Sequence, residues 1–233
     1  FDDATGTKAG ASPANNLDGT LNNTPTWQTE DFCVFGKCLY FDGTNNENVS
    51  LADDPKLDFV AADNFSVQAW VKRNGASAAN NVILTKASGN IGTTFQGYKL
   101  YMDTDGDFCF ETRDGTLGLD QACTSGANFD DDKWHHVVGT KQATAAIRLY
   151  VDGLERASDS SIASTGSLAN SGTLYVGVDQ DGTSTEWLGF IDEVRLYRDT
   201  SVRTTAQISA DFNARGTPKG AGVNFGNLKE NNP

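Results

Sequence analysis

The sequence predicts an all-β fold, an antiparallel sandwich of two β-sheets with a short C-terminal helix. Three observations lead to this prediction. Short segments that alternate apolar and polar residues recur along the chain, and turns rich in Gly, Asp and Asn separate them. Only residues 204–214, T-T-A-Q-I-S-A-D-F-N-A, have a helical pattern. The length of 233 residues suits one sandwich domain, which we assign to residues 1–214, with 215–233 as a C-terminal linker or arm.

The first third of the chain contains the clearest alternating strand. Residues 1–27 are rich in Gly, Asn, Thr and Ala, so we expect an irregular edge segment with short extended pieces. Two strands are predicted at 37–44 and 47–51, joined by a turn with an Asp-Gly pair. Residues 65–73 form the next predicted strand, whose inward-facing side chains are Phe65, Val67, Ala69 and Val71.

The remaining strands follow at short intervals. Acidic or glycine-containing turns separate them, as expected for antiparallel neighbours. The predicted strands are residues 82–84, 98–102, 108–112, 134–140, 147–152 and 173–178.

Residues 187–197, W-L-G-F-I-D-E-V-R-L-Y, form the last predicted strand. Alternation places Asp192 on the same face as four apolar side chains. An isolated buried carboxylate is unfavourable, so this group must be paired, hydrogen-bonded or bound to a cation. Two interpretations stay open, a carboxylate that accepts backbone N–H bonds at the end of the strand and a ligand of a metal ion. The four apolar residues are Leu188, Phe190, Val194 and Leu196.

The four cysteines fall into two local pairs, Cys33 with Cys38 and Cys109 with Cys123. Neither spacing suits a zinc site, because no further cluster of ligands accompanies the cysteines. We favour two local disulfides over free buried thiols. Disulfides would indicate an oxidising compartment.

The charge balance restricts the class of partner. Thirty-one acidic and 18 basic residues give a formal net charge of −13, which argues against charge-driven binding to nucleic acid or to an anionic membrane. No apolar run is long enough for a transmembrane helix, so we expect no membrane insertion. The first residues are not a secretory leader, so we expect a chain that follows a cleaved signal or is an excised domain.

Aromatic residues on the outer faces of the sheets are candidates for ligand binding. We expect Trp70, Tyr98, Tyr150, Tyr175 and Arg195 on the sides that face away from the core. Aromatic faces stack on sugar rings and polar groups bond to hydroxyls, so a groove of this kind suits an oligosaccharide. The alternative is that these rings serve cross-strand packing within the outer sheet.

Several segments, in this order and spacing, resemble a known family. They are L-Y-F-D-G at 39–43, F-S-V-Q-A-W-V at 65–71, W-H-H-V-V-G-T at 134–140, L-Y-V-D-G at 149–153 and G-F-I-D-E-V-R-L-Y at 189–197. Together they are similar to the laminin-G-like jelly-roll domains of the concanavalin A-like lectin and glucanase superfamily. The resemblance implies a jelly roll of two curved sheets that is usually non-enzymatic and often binds carbohydrate or protein.

The resemblance also implies a structural calcium ion (Ca2+) that ties the start of the chain to its last strand. Carried onto this sequence, the ligands would be Asp192, Gly43 and Asp3. Calcium accepts oxygen ligands in a flexible geometry, so carbonyls from two loops and one or two carboxylates suffice. The loop with Asp179 and Asp181 is a second candidate. It more closely matches a solvated hairpin turn, because it lacks the last glutamate of an EF-hand loop.

The residues give little support for catalysis. Related glucanases place carboxylates on one strand in an E-x-D-x-x-E arrangement, which this sequence lacks. The only two histidines, His135 and His136, lie in a strand that the family uses for packing, and no nucleophile motif accompanies them. We therefore predict that the protein is not an enzyme.

These observations and the resemblance predict a non-catalytic binding and adhesion module, secreted or at the cell surface, stabilised by calcium. Its partner would be a glycan or a protein, and we expect it to be part of a larger multidomain protein. Two alternatives stay open, a structural display domain of a surface filament without a small ligand, and a glycan-active enzyme. Exposed aromatic residues on an outer face would favour binding, and facing carboxylates in a groove would favour the enzyme.

Overall fold

The computed structural model describes residues 6–10, 17–75, 80–89, 95–116, 118–199 and 201–215. Within these residues there is one α-helix, α1 (Thr205–Arg215), and two short 3₁₀ turns, Glu30–Phe32 and Pro55–Leu57. The strands are β1 (Lys8–Ala9), β2 (Gly19–Asn22), β3 (Thr26–Gln28), β4 (Cys38–Asp42), β5 (Asn48–Leu51), β6 (Asn64–Arg73), β7 (Asn81–Ser88), β8 (Gln96–Met102), β9 (Phe108–Asp114), β10 (Leu119–Cys123), β11 (Trp134–Gln142), β12 (Ala146–Val151), β13 (Leu154–Asp159), β14 (Leu174–Val176) and β15 (Leu188–Asp199).

The strands form two antiparallel sheets, which confirms the predicted fold class. An eight-stranded sheet has the order β1-β2-β5-β14-β7-β8-β9-β10. A seven-stranded sheet has the order β13-β12-β11-β6-β15-β4-β3. The edge strands are therefore β1, β10, β13 and β3.

The core lies between the two sheets, where apolar burial supplies most of the stabilising free energy. The alternation predicted for β6 is confirmed, because Phe65, Val67, Ala69 and Val71 are all in the buried core. The opposite sheet contributes rings and aliphatic chains from β8 and β9. The larger core residues on that side are Tyr98, Leu100, Met102, Phe108 and Phe110.

Strand β6 is the central strand of the seven-stranded sheet. It pairs with β11 on one side and with β15 on the other. The outward-facing side chains of these three strands therefore lie side by side in rows. In one row Trp134, Lys72 and Phe190 are neighbours, and in the next row His136 and Trp70 are neighbours. These rows define the surface on which the candidate site lies.

A β-bulge interrupts β15, so the uninterrupted alternation predicted for this strand is wrong. Asp192 pairs with Trp70 and Arg195 pairs with Gln68, so one extra residue lies between them on β15. Glu193 takes a left-handed conformation at φ 50° to accommodate it. Asp192 consequently lies on the outer face of the sheet, not on the apolar face that uninterrupted alternation predicts.

Helix α1 confirms the helix predicted at 204–214, one residue later in the chain. A capping box begins it, since the Gln207 side chain accepts from the backbone N–H of Thr204 (2.9 Å) and the Thr204 hydroxyl accepts from the N–H of Gln207 (3.3 Å). The buried Ile208 faces the seven-stranded sheet. No helix among the described residues is long and apolar enough to cross a membrane.

Both predicted disulfides are confirmed. One joins Cys33 to Cys38 in the loop before β4, and the other joins Cys109 on β9 to Cys123 on β10. The first closes a short loop that lies over the outer face of the seven-stranded sheet, beside Asp192. The second links two neighbouring strands at the far end of the other sheet.

Candidate ligand-binding site

The outer face of the seven-stranded sheet carries a partly exposed cluster of aromatic rings around Lys72. We call this cluster the aromatic platform, and it comprises Phe32, Tyr40, Lys72, Trp134 and Phe190. Phe190 pairs with Lys72 on β6 and with Tyr40 on β4, and Lys72 pairs with Trp134 on β11. Four adjacent strands, in the order β11-β6-β15-β4, and the 3₁₀ turn Glu30–Phe32 therefore bring these side chains together.

Phe190 lies at the centre of the aromatic platform. Its ring centroid is 4.9 Å from that of Tyr40, 6.0 Å from that of Trp134 and 6.2 Å from that of Phe32. These separations are typical of favourable aromatic pairs. The indole N–H of Trp134 donates to the backbone carbonyl of Phe32 at 3.2 Å, which holds the loop against the sheet. The Phe32 side chain is 56% exposed, so the cluster is open to solvent.

Polar groups surround these rings. The ammonium of Lys72 lies 5.7 Å from the Phe190 centroid and 3.4 Å from a carboxylate oxygen of Asp132. The amide of Asn74 donates to the Tyr40 hydroxyl at 3.2 Å. The site therefore combines flat apolar faces with a cation, a carboxylate and a phenol, which can stack on a ring and bond to its hydroxyl groups.

Asp192 and the Cys33–Cys38 disulfide position the loop part of the platform. The Oδ2 atom of Asp192 accepts from the backbone N–H groups of Val34 and Phe35, both at 2.9 Å, and Oδ1 accepts from the N–H of Glu193 at 2.8 Å. Burial raises the pKa of Asp192 to about 7, although the N–H of Phe35 opposes this shift. The predicted alternative of a hydrogen-bonded carboxylate therefore accounts for its burial.

The described residues around Asp192 do not fit the calcium site that the resemblance implies. Leu188 pairs with Asp42 and Ile191 with Leu39, so Gly43 and Asp192 lie at opposite ends of β4, more than about 10 Å apart. Calcium ligands all lie within about 2.6 Å of the ion. Asp3 lies outside the described residues, and among those described no three His, Cys, Asp or Glu side chains cluster as metal ligands. Calcium binding stays a prediction.

The loop that carries Asp179 and Asp181 is held by protein contacts. Asp179 is buried and forms an ion pair with Lys99 at 2.9 Å. Asp181 accepts from the backbone N–H groups of Thr183 and Ser184, at 2.8 and 3.0 Å, and these bonds lower its pKa although burial acts in the opposite direction. The two carboxylates thus have different partners within one turn.

Most of the predicted ligand-binding residues are not freely accessible. Trp70 and Tyr150 do lie on the outer face, but α1 covers them and they are 2% and 4% exposed. The prediction that Tyr98 faces outward is wrong, because its ring packs in the core and its hydroxyl donates to the carbonyl of Leu57 at 3.0 Å. Tyr175 and Arg195 are partly exposed, and a binding role for them stays a prediction.

Sequence reasoning missed the aromatic platform for two reasons. The bulge at Glu193 reverses the faces of β15, so Phe190 points outward although alternation assigns it to the apolar face. Phe32 ends the short 3₁₀ turn Glu30–Phe32, which is too short to give a periodic pattern. Trp134 was recognisable, since it lies two residues before His136 on the face opposite to Val137.

Comparison with known families gives one match over most of the chain. A family model described as the concanavalin A-like lectin/glucanases superfamily matches residues 42–209, more than half of the sequence. No curated protein sequence matches.

Solved structures with the same fold include clostridial toxin domains. The binding domain of Paraclostridial Mosquitocidal Protein 1 superposes with a TM-score of 0.69 at 14% identity, covering 89% of this chain and 51% of that one. The botulinum neurotoxin serotype G binding domain gives 0.66 at 12%, covering 88% and 48%. The serotype D ligand-binding domain, in complex with N-acetylneuraminic acid, gives 0.65 at 12%, covering 91% and 51%. The chain thus spans about half the length of these structures.

Proposed function

Because the chain belongs to the concanavalin A-like lectin/glucanase superfamily, we propose that it is a non-catalytic binding module that recognises a glycan through the aromatic platform. The observation that carries this proposal is the group of partly exposed rings around Phe190, in contact with Lys72. Exposed aromatic clusters on monomer surfaces mark interaction sites. The serotype D domain, whose structure is a complex with N-acetylneuraminic acid, supports this proposal by analogy of fold.

The contacts of the platform favour a sugar as the ligand. Phe190 and Trp134 offer flat faces for stacking on the apolar side of a sugar ring. Lys72 and Asp132, beside them, offer a donor and an acceptor for ring hydroxyls. Their ion pair is exposed to solvent, so a ligand can replace it at a small cost in free energy.

The outer face of the eight-stranded sheet supports a non-catalytic function. Glu111 on β9 has the cationic partner Arg113 at 3.4 Å, and Asp179, in the loop after β14, has the partner Lys99 at 2.9 Å. Burial raises the pKa of Glu111, and Lys99 and Arg113 act against this shift. Glycoside hydrolysis needs one carboxyl group that donates a proton and another that attacks or activates water. Here each of the two carboxylates is engaged by a cationic side chain.

The two disulfides support the proposal that the module works in an oxidising compartment, secreted or at a cell surface. In that setting it would serve adhesion, as one domain of a larger protein. A protein partner in place of the glycan is the main competing outcome, because aromatic residues are also enriched in protein interfaces.

A binding experiment tests the proposal. Sialyllactose and lactose are titrated into the protein and followed by saturation-transfer NMR and calorimetry, after a glycan array selects further probes. We expect Trp134→Ala and Phe190→Ala each to weaken glycan binding at least about tenfold, since each removes a stacking surface. Leu154→Ala, which removes an exposed apolar side chain elsewhere on the same sheet, is the matched control.

The outcomes separate the competing functions. Equal affinity in the parent and both platform variants would place the glycan elsewhere on the protein. Absence of binding to every glycan of the array by the folded parent would overturn the proposed function and favour the structural display domain.

A further inference from the structure

Helix α1 covers the row of outer-face side chains next to the aromatic platform. The Phe212 ring lies 5.6 Å from Trp70 and 6.4 Å from His136, centroid to centroid. One turn earlier, Ile208 packs on the outer-face side chains Val138 and Tyr150. The covered row is continuous with the platform, because Trp70 lies two residues before Lys72 on β6 and His136 lies two residues after Trp134 on the antiparallel strand β11.

Several polar groups on this covered face are buried without a hydrogen bond. His136 is fully buried, and neither of its ring nitrogens has a partner among the described residues. The same holds on the same face for Oε1 of Gln68, the hydroxyl of Ser66 and that of Thr140. A buried polar group without a partner is unfavourable relative to the same group in water. Exposure of this face would therefore hydrate groups that the closed structure leaves unsatisfied.

The contacts that hold α1 against the sheet are few. Ile208 is its only fully buried side chain among those described, and Phe212 is half-buried. The Ser209 hydroxyl donates to the carbonyl of Gly153 at 2.6 Å, and the side chains of Thr205 and Tyr150 are hydrogen-bonded. A short helix with two apolar anchors is among the elements that open most easily.

We propose that α1 is a displaceable cover, and that the strip beneath it extends the aromatic platform into a binding site for a longer glycan chain. The strip comprises Trp70, His136, Tyr150, Gln68 and Arg195. The cover follows from the packing of α1 alone, whereas the identity of the ligand rests on the proposed function. A sugar ring next to one on the platform would stack on Trp70, and its hydroxyls would bond to Gln68 and His136.

If α1 must move away from the strip before a glycan binds there, the affinity for the glycan depends on how often α1 is displaced. A protein whose binding-competent state is a minor fraction binds more weakly in proportion to that fraction. A substitution that weakens the cover without touching the strip should therefore tighten glycan binding. This expectation distinguishes a cover from a helix that only completes the fold.

His136 provides a direct probe of opening. Diethyl pyrocarbonate acylates neutral imidazole nitrogens, and burial lowers the pKa of His136 to about 4, so the ring is neutral near pH 7. In the closed structure the helix shields it. The other histidine, His135, has both nitrogens engaged by Asp152 and Asp131 and serves as the internal reference. Fragment-ion mass spectrometry distinguishes the two adjacent sites.

The test compares Phe212→Ala and Ile208→Ala with Asn213→Ala, which alters the exposed side of the same helix. We expect each of the first two variants to speed acylation of His136 at least about tenfold and to tighten sialyllactose or lactose binding about tenfold. Asn213→Ala should match the parent in both measurements. Circular dichroism and thermal melting of each variant verify that the sandwich stays folded.

Three results would contradict the proposal in separable ways. Equal acylation rates in the parent and both anchor variants would overturn the cover. Faster acylation with unchanged or weaker sugar binding, in a protein whose platform binds the sugar, would overturn the extended site and leave the proposed function intact. Faster acylation in a protein that binds no sugar in either form would overturn the proposed function and the extended site together.

Discussion

At the scale of single residues, two adjacent histidines have opposite environments. Burial alone would lower the pKa of His135, but its hydrogen bonds to Asp152 and Asp131, at 2.9 and 3.0 Å, raise it above the ordinary value. Burial lowers the pKa of His136 to about 4, and the positive charges of Arg195 and Arg203 act in the same direction. Alternation along β11 explains the contrast, because the two side chains lie on opposite faces of the strand.

These environments predict opposite pH dependences of stability. The unfolded chain protonates its histidines near pH 6.5. For His136, the folded state resists protonation until about pH 4, so stability is complete above about pH 6.5 and falls as the pH drops toward 4. For His135, the raised pKa stabilises the fold below about pH 6.5, and this contribution is lost as the pH rises through the folded value.

Urea unfolding of His136→Phe and His135→Gln between about pH 5 and pH 8 measures these contributions. We expect His136→Phe to reduce the acid-side loss of stability by up to about 1.4 kcal/mol per pH unit, the limit for one proton. We expect His135→Gln to remove the alkaline-side loss and to leave the acid side as in the parent. Identical profiles for the parent and His136→Phe would show that His136 is hydrated in solution.

At the scale of structural elements, the loop closed by Cys33 and Cys38 helps to shape the binding surface in addition to stabilising the fold. Phe32 directly precedes this loop, and the loop donates two backbone N–H groups to Asp192, so its conformation determines part of the aromatic platform. The disulfide between Cys109 and Cys123 joins β9 to β10, in the other sheet. The two bonds should therefore differ in what their removal affects.

Paired serine variants test this difference. We expect Cys33→Ser with Cys38→Ser to weaken glycan binding at least about tenfold, because Phe32 loses its fixed position. Cys109→Ser with Cys123→Ser should retain glycan binding while lowering the free energy of unfolding by about 2 to 4 kcal/mol. Calorimetry and urea unfolding measure the two quantities. Full affinity in the first variant would mean that the Trp134 and Asp192 contacts hold the loop alone.

At the scale of the whole molecule, unfolding experiments can distinguish stabilisation by the hydrogen bonds of Asp192 from stabilisation by bound calcium. We expect Asp192→Ala to lower the free energy of unfolding by about 2 to 4 kcal/mol, because it leaves the buried N–H of Val34 and the partly buried N–H of Phe35 without an acceptor. The loss should be the same in calcium and in chelator, since these partners are part of the protein. Urea unfolding in both buffers measures it.

The parent protein in the same experiment tests the calcium prediction of the family resemblance. A ligand that binds only the folded state stabilises it by about 2.7 kcal/mol at a hundredfold excess over its dissociation constant. Stabilisation of the parent by calcium, unchanged in Asp192→Ala, would confirm a calcium site away from Asp192. A calcium effect that disappears in Asp192→Ala would make this carboxylate a ligand.

Much of this architecture could be predicted from local patterns. The alternation of β6 identified its core face, the two cysteine pairs matched the observed disulfides, and the helical pattern at 204–214 identified α1. Each of these signals acts between residues close in sequence. Local sequence patterns are therefore enough to predict these features.

The binding surface could not be predicted because it depends on contacts between distant segments. One extra residue at Glu193 exchanges the faces of β15, and no propensity marks that position. Alternation predicts that Trp70 is exposed on the outer face, but α1, which is distant in sequence, packs on its ring. Phe32 is held at the platform by contacts to residues distant in sequence, the indole of Trp134 and, through Val34, the carboxylate of Asp192, 158 residues away.

The edges of the two sheets have a further consequence, for self-association. Strands β1 and β3 are only two and three residues long, and β13 presents the charged, exposed side chains of Glu155 and Arg156. At β10, Asp120 accepts backbone N–H bonds from the crossing segment at Ala163 and Ser164. Short, charged or covered edges resist the addition of strands from another copy. Pairing of two copies of this chain through these sheet edges is therefore disfavoured.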